Sequence, residues 1–371
     1  MLGLSVHRSA IVGRVLPVLT VLALLLSACA PQRAGQPESK PAAPAAGAPA
    51  GKPGEAAQPA AAPGATTVKF SHVVAKDTPK GKAADRFAEL VNQKSGGKIQ
   101  VQVFANSELY KDAEELEALQ TNAIQFIAPG TDKFGGLAPQ WDATALPYIF
   151  TSDAAVNKLL DPDNPVAKEL FESMRPKGLI GLAIWGNGWK HFTDSKRPLK
   201  TPADFQGLKF RTSGKPDEAF VKALGGSATV MAFSEVFGAL QQGVVDGQYN
   251  TWSNVYTQKF HEVQKYATVS RGGVYLTYGV ATNTSWWDSL DADSKKTFTD
   301  AMKEATAYEK QLSDKDNADS LDAIKQSGRL EFYEQTEEDA KTFQQAAQPV
   351  VQEWEPRTGK DIIDKLKAMN Q

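Results

Sequence analysis

The chain has 371 residues, 42% of them hydrophobic and 23% charged, with seven Trp, nine Tyr and 17 Phe. That composition excludes disordered, collagen-like and polytopic membrane chains, and the length suits about two domains with sizeable cores. Residues 67–371 hold 36 basic and 41 acidic side chains, with no Lys/Arg run, so the basic face of a nucleic-acid binder is excluded too.

The first 66 residues read as an address and a tether. Arg8 and Arg14 precede the apolar run Val15 to Leu26, which ends at Ser27-Ala28-Cys29. A positive start, a short apolar stretch and small residues at its end describe a secretory signal over 1–29. Cys29 is the chain's single cysteine and stands at that junction, as in the bacterial lipobox, where the cysteine becomes the lipidated first residue of the mature protein. One cysteine also rules out a disulfide within the chain. Residues 30–66 follow, 27 of 37 being Ala, Pro or Gly, with no aromatic or branched aliphatic side chain. Such a segment cannot bury enough surface to offset ordering, and its eight prolines stiffen it into a spacer.

Beyond it, strands and helices alternate. Val68 to Ser71 reads as a strand, and a helix from Pro79 carries Ala83, Phe87, Leu90 and Val91 on one stripe until Gly96-Gly97. Ile99 to Val103 is a strand, Leu109 to Leu119 a helix, and Ile124 to Ala128 a strand ending at Pro129-Gly130. A helix over 154–174 is broken at Pro162 and Pro165. Then come strands over 179–185 and 208–211, a helix over 217–224 and a strand over 228–233. Ser234 is expected to cap a helix over 235–242, 275–281 is a strand, and 294–324 is a long polar helix. Thr336 to Asp339 reads as a capping box opening the last helical region. The alternation predicts an α/β fold built on parallel sheets.

Catalytic and cofactor motifs are missing. There is no G-x-S-x-G, H-E-x-x-H, C-x-x-C, Walker A or G-x-G-x-x-G, and the four histidines are scattered, so neither catalytic residues, a metal nor a cofactor is expected. Three local features suit a solute-binding cleft instead. In Gly207-Leu208-Lys209-Phe210-Arg211, Leu208 and Phe210 facing a core would turn Arg211 away from it near a strand's carboxyl end. Ligands of open α/β sheets bind at such ends, and a guanidinium grips a carboxylate with two parallel hydrogen bonds. The second feature is the turn around Gln248, Tyr249 and Asn250; the third is Asn187-Gly188-Trp189-Lys190-His191, aromatic and cationic.

In order and context these segments resemble one family. Gly207 to Arg211, Met231 to Gln241 (MAFSEVFGALQ), Val245-Asp246-Gly247-Gln248 and Gln258 to Lys265 (QKFHEVQK) are similar to the solute-binding proteins of tripartite ATP-independent periplasmic (TRAP) transporters, in the lipoprotein form of the DctP type. Lys94 to Ile99 and Ala145 to Tyr148 extend the likeness over most of 67–371. The resemblance implies a two-lobed periplasmic-binding-protein-like fold with a ligand cleft between the lobes and a long helix spanning both. On that plan 67–187 with 276–315 form the first lobe, and 188–275 with 316–371 the second. It also implies that Arg211 clamps a ligand carboxylate, that Asn250 reaches the ligand and that Phe233 lines the pocket. Lys190 stands where many members carry a second arginine; Tyr249 and Thr251 replace the Glu and Pro of the family's turn.

The expectation is therefore an extracytoplasmic receptor, lipid-anchored through Cys29, that captures a small organic acid and delivers it to the membrane subunits of a TRAP transporter. Arg211 supplies charge and direction, and Lys190 is a further candidate ligand contact. Asn250 and Gln248 supply hydrogen bonds, and Phe233, Trp189 and Trp252 apolar walls. A secreted lipoprotein hydrolase and a binding protein of an ATP-driven importer are the alternatives. Neither nucleic acid nor a cofactor is expected as a partner.

Overall fold

A computed structural model describes residues 64–371; the expected signal, Cys29 and nearly all of the tether lie outside them. Eleven strands follow in chain order. They are β1 (Thr66–Ser71), β2 (Ile99–Phe104), β3 (Phe126–Ile127), β4 (Leu179–Trp189), β5 (His191–Asp194) and β6 (Lys209–Thr212). Then come β7 (Ser227–Val230), β8 (Gly247–Asn250), β9 (Tyr266–Val269), β10 (Tyr275–Asn283) and β11 (Glu331–Glu334). They form two sheets, ordered β2-β1-β3-β10-β4 and β11-β9-β5-β8-β6-β7, each the centre of one lobe.

Neither sheet is wholly parallel, as the alternation alone predicted. β10 runs antiparallel to both β3 and β4, and β5 antiparallel to β8 and β9. The reason is connectivity. The chain leaves the first sheet at the end of β4, enters the second as β5 one residue later, and returns from β9 to β10. Strands that carry the chain between lobes must enter each sheet against the direction set by its βαβ units.

The first sheet is covered on both faces. Val68, Phe70, Val101 and Val103 pack against Phe87 and Val91 of the helix Pro79–Lys94, and against Phe298 and Met302 of the helix Ala292–Ser327. Leu179, Ile184 and Ala281 face the opposite layer with Leu159, Leu170 and Trp141. Every residue of β10 is buried, as a strand covered on both sides requires. The second lobe has its own core, in which Phe192, Phe205, Phe210 and Tyr249 meet.

Two helices tie the lobes. Ala292–Ser327 places Phe298 to Ala305 in the first-lobe core and Ile324 in the second, as the spanning helix was expected to do. The helix Glu337–Thr358 also spans, with Phe343 and Ala347 in the second-lobe core and Val350, Val351 and Trp354 in the first. The last helix, Lys360–Ala368, buries Ile362, Ile363 and Leu366 there too, so the end of 316–371 belongs to the first lobe rather than the second. The capping box of Thr336 with Asp339 forms as read. Ser234 is not a cap: it lies inside a 3-10 turn, Phe233–Glu235, which leads into the helix Val236–Gln241.

Candidate functional site

The carboxyl ends of strands from both sheets converge on one cavity. Val73 and Val74 follow β1, Gly130, Asp132 and Lys133 follow β3, Arg211 and Ser213 end β6, and Tyr249 and Asn250 close β8. Lys190, at the crossover from β4 to β5, completes the wall together with Asp112, Phe233, Asn254, Leu276 and Tyr278. The cavity left between these atoms is about 30 Å³.

Arg211 sits where strand alternation put it. Leu208 and Phe210 are buried in the second-lobe core, and the guanidinium, on a residue only 2% exposed, turns to the cavity. Its Nε and Nη2 donate to the Met231 carbonyl at 3.1 and 2.9 Å, and its Cζ lies 5.6 Å from the centre of the Phe233 ring. One edge of the fork is thereby fixed, and Nη1 has no hydrogen-bond partner among the described residues. Burial lowers the Arg211 pKa, against the pull of Asp112, Asp132 and Asp217. Such a held guanidinium is pre-aimed at an anion.

Two lysines complete the cationic wall. Lys190 Nζ donates to Asp217 Oδ2 and, at 3.3 Å, to Ser213 Oγ. Lys133 Nζ donates to the Ser213 carbonyl and lies 3.9 Å from Asp112 Oδ1. The other oxygen of Asp112 accepts from Phe233 N at 2.8 Å, a bond from the first lobe to the second. Asn250 accepts at Oδ1 from Thr251 N and from Asn254 Nδ2, which leaves its NH2 as the group free to donate. Behind the Tyr278 wall, Lys80 Nζ lies 3.7 Å over the ring and donates to the Ala128 carbonyl; burial lowers its pKa to about 8.

Of the residues singled out in the sequence, Arg211, Lys190, Phe233 and Asn250 line the cavity; Gln248, Trp189 and Trp252 do not. Gln248 lies two residues before the end of β8, and its Nε2 donates to Thr193 Oγ1 of the neighbouring strand. Trp189 faces the side opposite to Lys190, donates from Nε1 to Asp153 Oδ1 and meets Tyr275 edge to face. Trp252 stacks on His191 and packs on Phe332 inside the second lobe. Asp112, Asp132, Lys133, Ser213, Asn254 and Tyr278 are cavity residues that the sequence reading did not name. Lys133 was within reach of the strand-end rule, had it been applied to β3 as it was to β6.

Among the described residues no cluster of three or more His, Cys, Asp or Glu side chains is placed to hold a metal, and no helix is long and apolar enough to cross a membrane. Two lobes meeting at a cavity lined by Arg211, Lys133 and Lys190 suit a receptor for an anionic solute. Residues 70–357 match the family described as "Bacterial extracellular solute-binding protein, family 7" (DctP). The chain is 46% identical over 303 residues to the C4-dicarboxylate-binding periplasmic protein DctP of Rhodobacter capsulatus, covering 81% of this chain and 90% of that one. It is 42% identical over 300 residues to the C4-dicarboxylate-binding protein DctB of Bacillus subtilis (strain 168), covering 80% and 85%. A TRAP periplasmic solute binding protein from Shewanella oneidensis, solved with bound succinate, superimposes with a TM-score of 0.80 at 38% identity, covering 83% of this chain and all of that one. The chain belongs to this solute-binding family. It is an extracytoplasmic transport receptor and not an enzyme.

Proposed function

We propose that the chain closes its lobes on a C4-dicarboxylate-type organic acid and hands it to the membrane subunits of a TRAP transporter, while a lipid on Cys29 keeps it at the membrane. The observation that carries the reading is Arg211, buried at a strand end, braced by the Met231 carbonyl and flanked by Lys133 and Lys190. One carboxylate docks on the open edge of the guanidinium with a further donor in the Asn250 amide. The two ammonium groups face the second carboxylate. The names of the relatives point to the same ligand class.

Titration calorimetry with succinate tests it: the full chain should bind a single equivalent and return the acid unchanged. Heat-silent mixing with every C4-dicarboxylate would sink the reading. The anchor is tested separately, since Cys29 lies outside the described residues. Cys29→Ser should abolish lipid labelling and membrane retention with no change in ligand affinity. Wild-type protein recovered lipid-free would refute the anchor alone.

A further inference from the structure

One buried cation has no role in that account. Lys80, in the first turn of the helix Pro79–Lys94, is fully buried and stands behind the cavity wall rather than in it. Its Nζ lies 3.7 Å from the centre of the Tyr278 ring and donates to the Ala128 carbonyl at 2.8 Å. The carboxyl groups that face it are Glu115 and Asp112 of the helix Asp112–Gln120 and Asp132 after β3. Asp112 is engaged by Phe233 N and Asp132 by the Ser213 side chain. Glu115 is buried, accepts from Ser71 Oγ at 2.9 Å, and burial raises its pKa to about 8. His72, Lys76 and Lys133 are the other titratable groups around the pair, and burial holds His72 well below its ordinary pKa. At neutral pH Glu115 is therefore protonated and does not cancel the charge on Lys80. On the cavity side, the Tyr278 hydroxyl accepts from Asn254 Nδ2 at 3.2 Å, which leaves its own proton to donate. Asn254 also donates to Asn250 Oδ1, so the phenol stands among groups that line the cavity.

Resting on the receptor reading above, we propose that Lys80 is a positioning residue for the anionic solute, acting through Tyr278: its ammonium holds the ring and strengthens the hydroxyl as a donor to a bound carboxylate. A cation over one face of an aromatic ring is attracted by the ring's π density and draws on it. In a low-dielectric interior such polarisation passes along a chain of hydrogen bonds. The arrangement is also sensitive to pH. Burial lowers the Lys80 pKa to about 8 and raises that of Glu115 to about 8, so the pair gives up one proton as pH rises past that value. Whichever group releases it, the net charge behind the wall falls from one positive charge to none. Burial raises the Tyr278 pKa, so the phenol keeps its proton meanwhile.

Calorimetry of the full chain with succinate, a dianion throughout, between pH 6.5 and 9.5 decides it, with circular dichroism to confirm folding at each pH. Wild-type affinity should fall at least ~5-fold over that range, the scale of losing one nearby charge at an intermediate dielectric. Lys80→Met should bind at least ~5-fold more weakly than wild type at pH 6.5 and show no such fall. Tyr278→Phe keeps the ring but not the hydroxyl, so it too should bind weakly and evenly across pH, and Lys80→Met added to it should cost little more. If Lys80→Met does not fold, the profiles of wild type and Tyr278→Phe still decide. A level wild-type profile, a fall that persists in either variant, or a Lys80→Met penalty undiminished in Tyr278→Phe would each overturn the proposal and leave the dicarboxylate reading standing. Failure of the wild type to bind succinate at any pH would instead overturn that reading, and this proposal with it.

Discussion

At the scale of single residues, Arg211 bears the largest consequence. A ligand carboxylate entering a closed cavity loses hydration that only an aimed partner replaces. Removing one member of such a pair costs about 2–5 kcal/mol, because the other charge stays buried and unpaired. Arg211→Ala should therefore weaken binding by roughly 30- to several-thousand-fold. Arg211→Lys keeps the charge but loses both the fork and the brace on the Met231 carbonyl, and should cost at least ~10-fold. Calorimetry on the three proteins checks both figures; near-wild-type affinity in both variants would remove Arg211 from the site. What the sequence made legible here follows from position on a strand. Arg211, next to the last residue of β6, and Asn250, the last of β8, reach the cavity, whereas Gln248, two residues deeper in β8, spends its amide on Thr193. Trp189 and Lys190 are neighbours on an extended chain, so only one of them can face inward. Asp112 and Tyr278, which come from the first lobe, were illegible because no local pattern says which turn of one sheet will oppose which turn of another.

At the scale of elements, the long helix Ala292–Ser327 shows a polar sequence with a purpose in its interior. Glu309 is buried on it, and its Oε2 accepts from Gly186 N at 3.3 Å where β4 heads toward the crossover. Burial raises its pKa well above the usual carboxylate range. The folded state thus keeps a proton that the unfolded chain releases above the ordinary glutamate pKa, so this group's contribution to stability falls as pH rises past that value. Glu309→Gln keeps a neutral side chain of the same shape and removes that slope. Its melting temperature should exceed the wild type's at pH 8 by at least about 2 °C, as ~1 kcal/mol would produce, and match it at pH 4. Equal midpoints at both pH values would show that Glu309 is ionised in the folded protein. The helix itself was legible from 294–324 as a long polar run, and its capping by Asp291 adds the first turn. The strands β5, β8 and β9 were not, since four-residue strands built of polar and aromatic residues carry no clear period.

At the scale of the whole molecule, the lobes are joined across the cleft by contacts that an open form would lack. Phe233 N to Asp112 is buried, Lys133 Nζ to the Ser213 carbonyl is part-buried, and Lys111 with Glu235, at 2.7 Å, is an exposed pair of small worth. A ligand that touches both lobes favours the closed state by its differential affinity. Saturating ligand should reduce the radius of gyration in solution scattering, and an unchanged profile would argue for a rigid site. Asp112→Ala should raise the ligand off-rate by roughly 5- to 100-fold, the cost of about 1–3 kcal/mol for a buried donor left unpaired. Lys190 stands apart from this cross-cleft set. It is the one residue between β4 and β5, and its ammonium is held by Asp217 and Ser213 of the lobe it enters. Mechanically it sits at the fulcrum, where a pull has almost no moment arm. A carboxylate resting there can be held in the open form and the closed form alike, but it cannot swing the lobes together. Closure has to be driven from the first-lobe wall instead, where Lys133 donates to the Ser213 carbonyl and Asp132 packs on Gly214 of the other lobe.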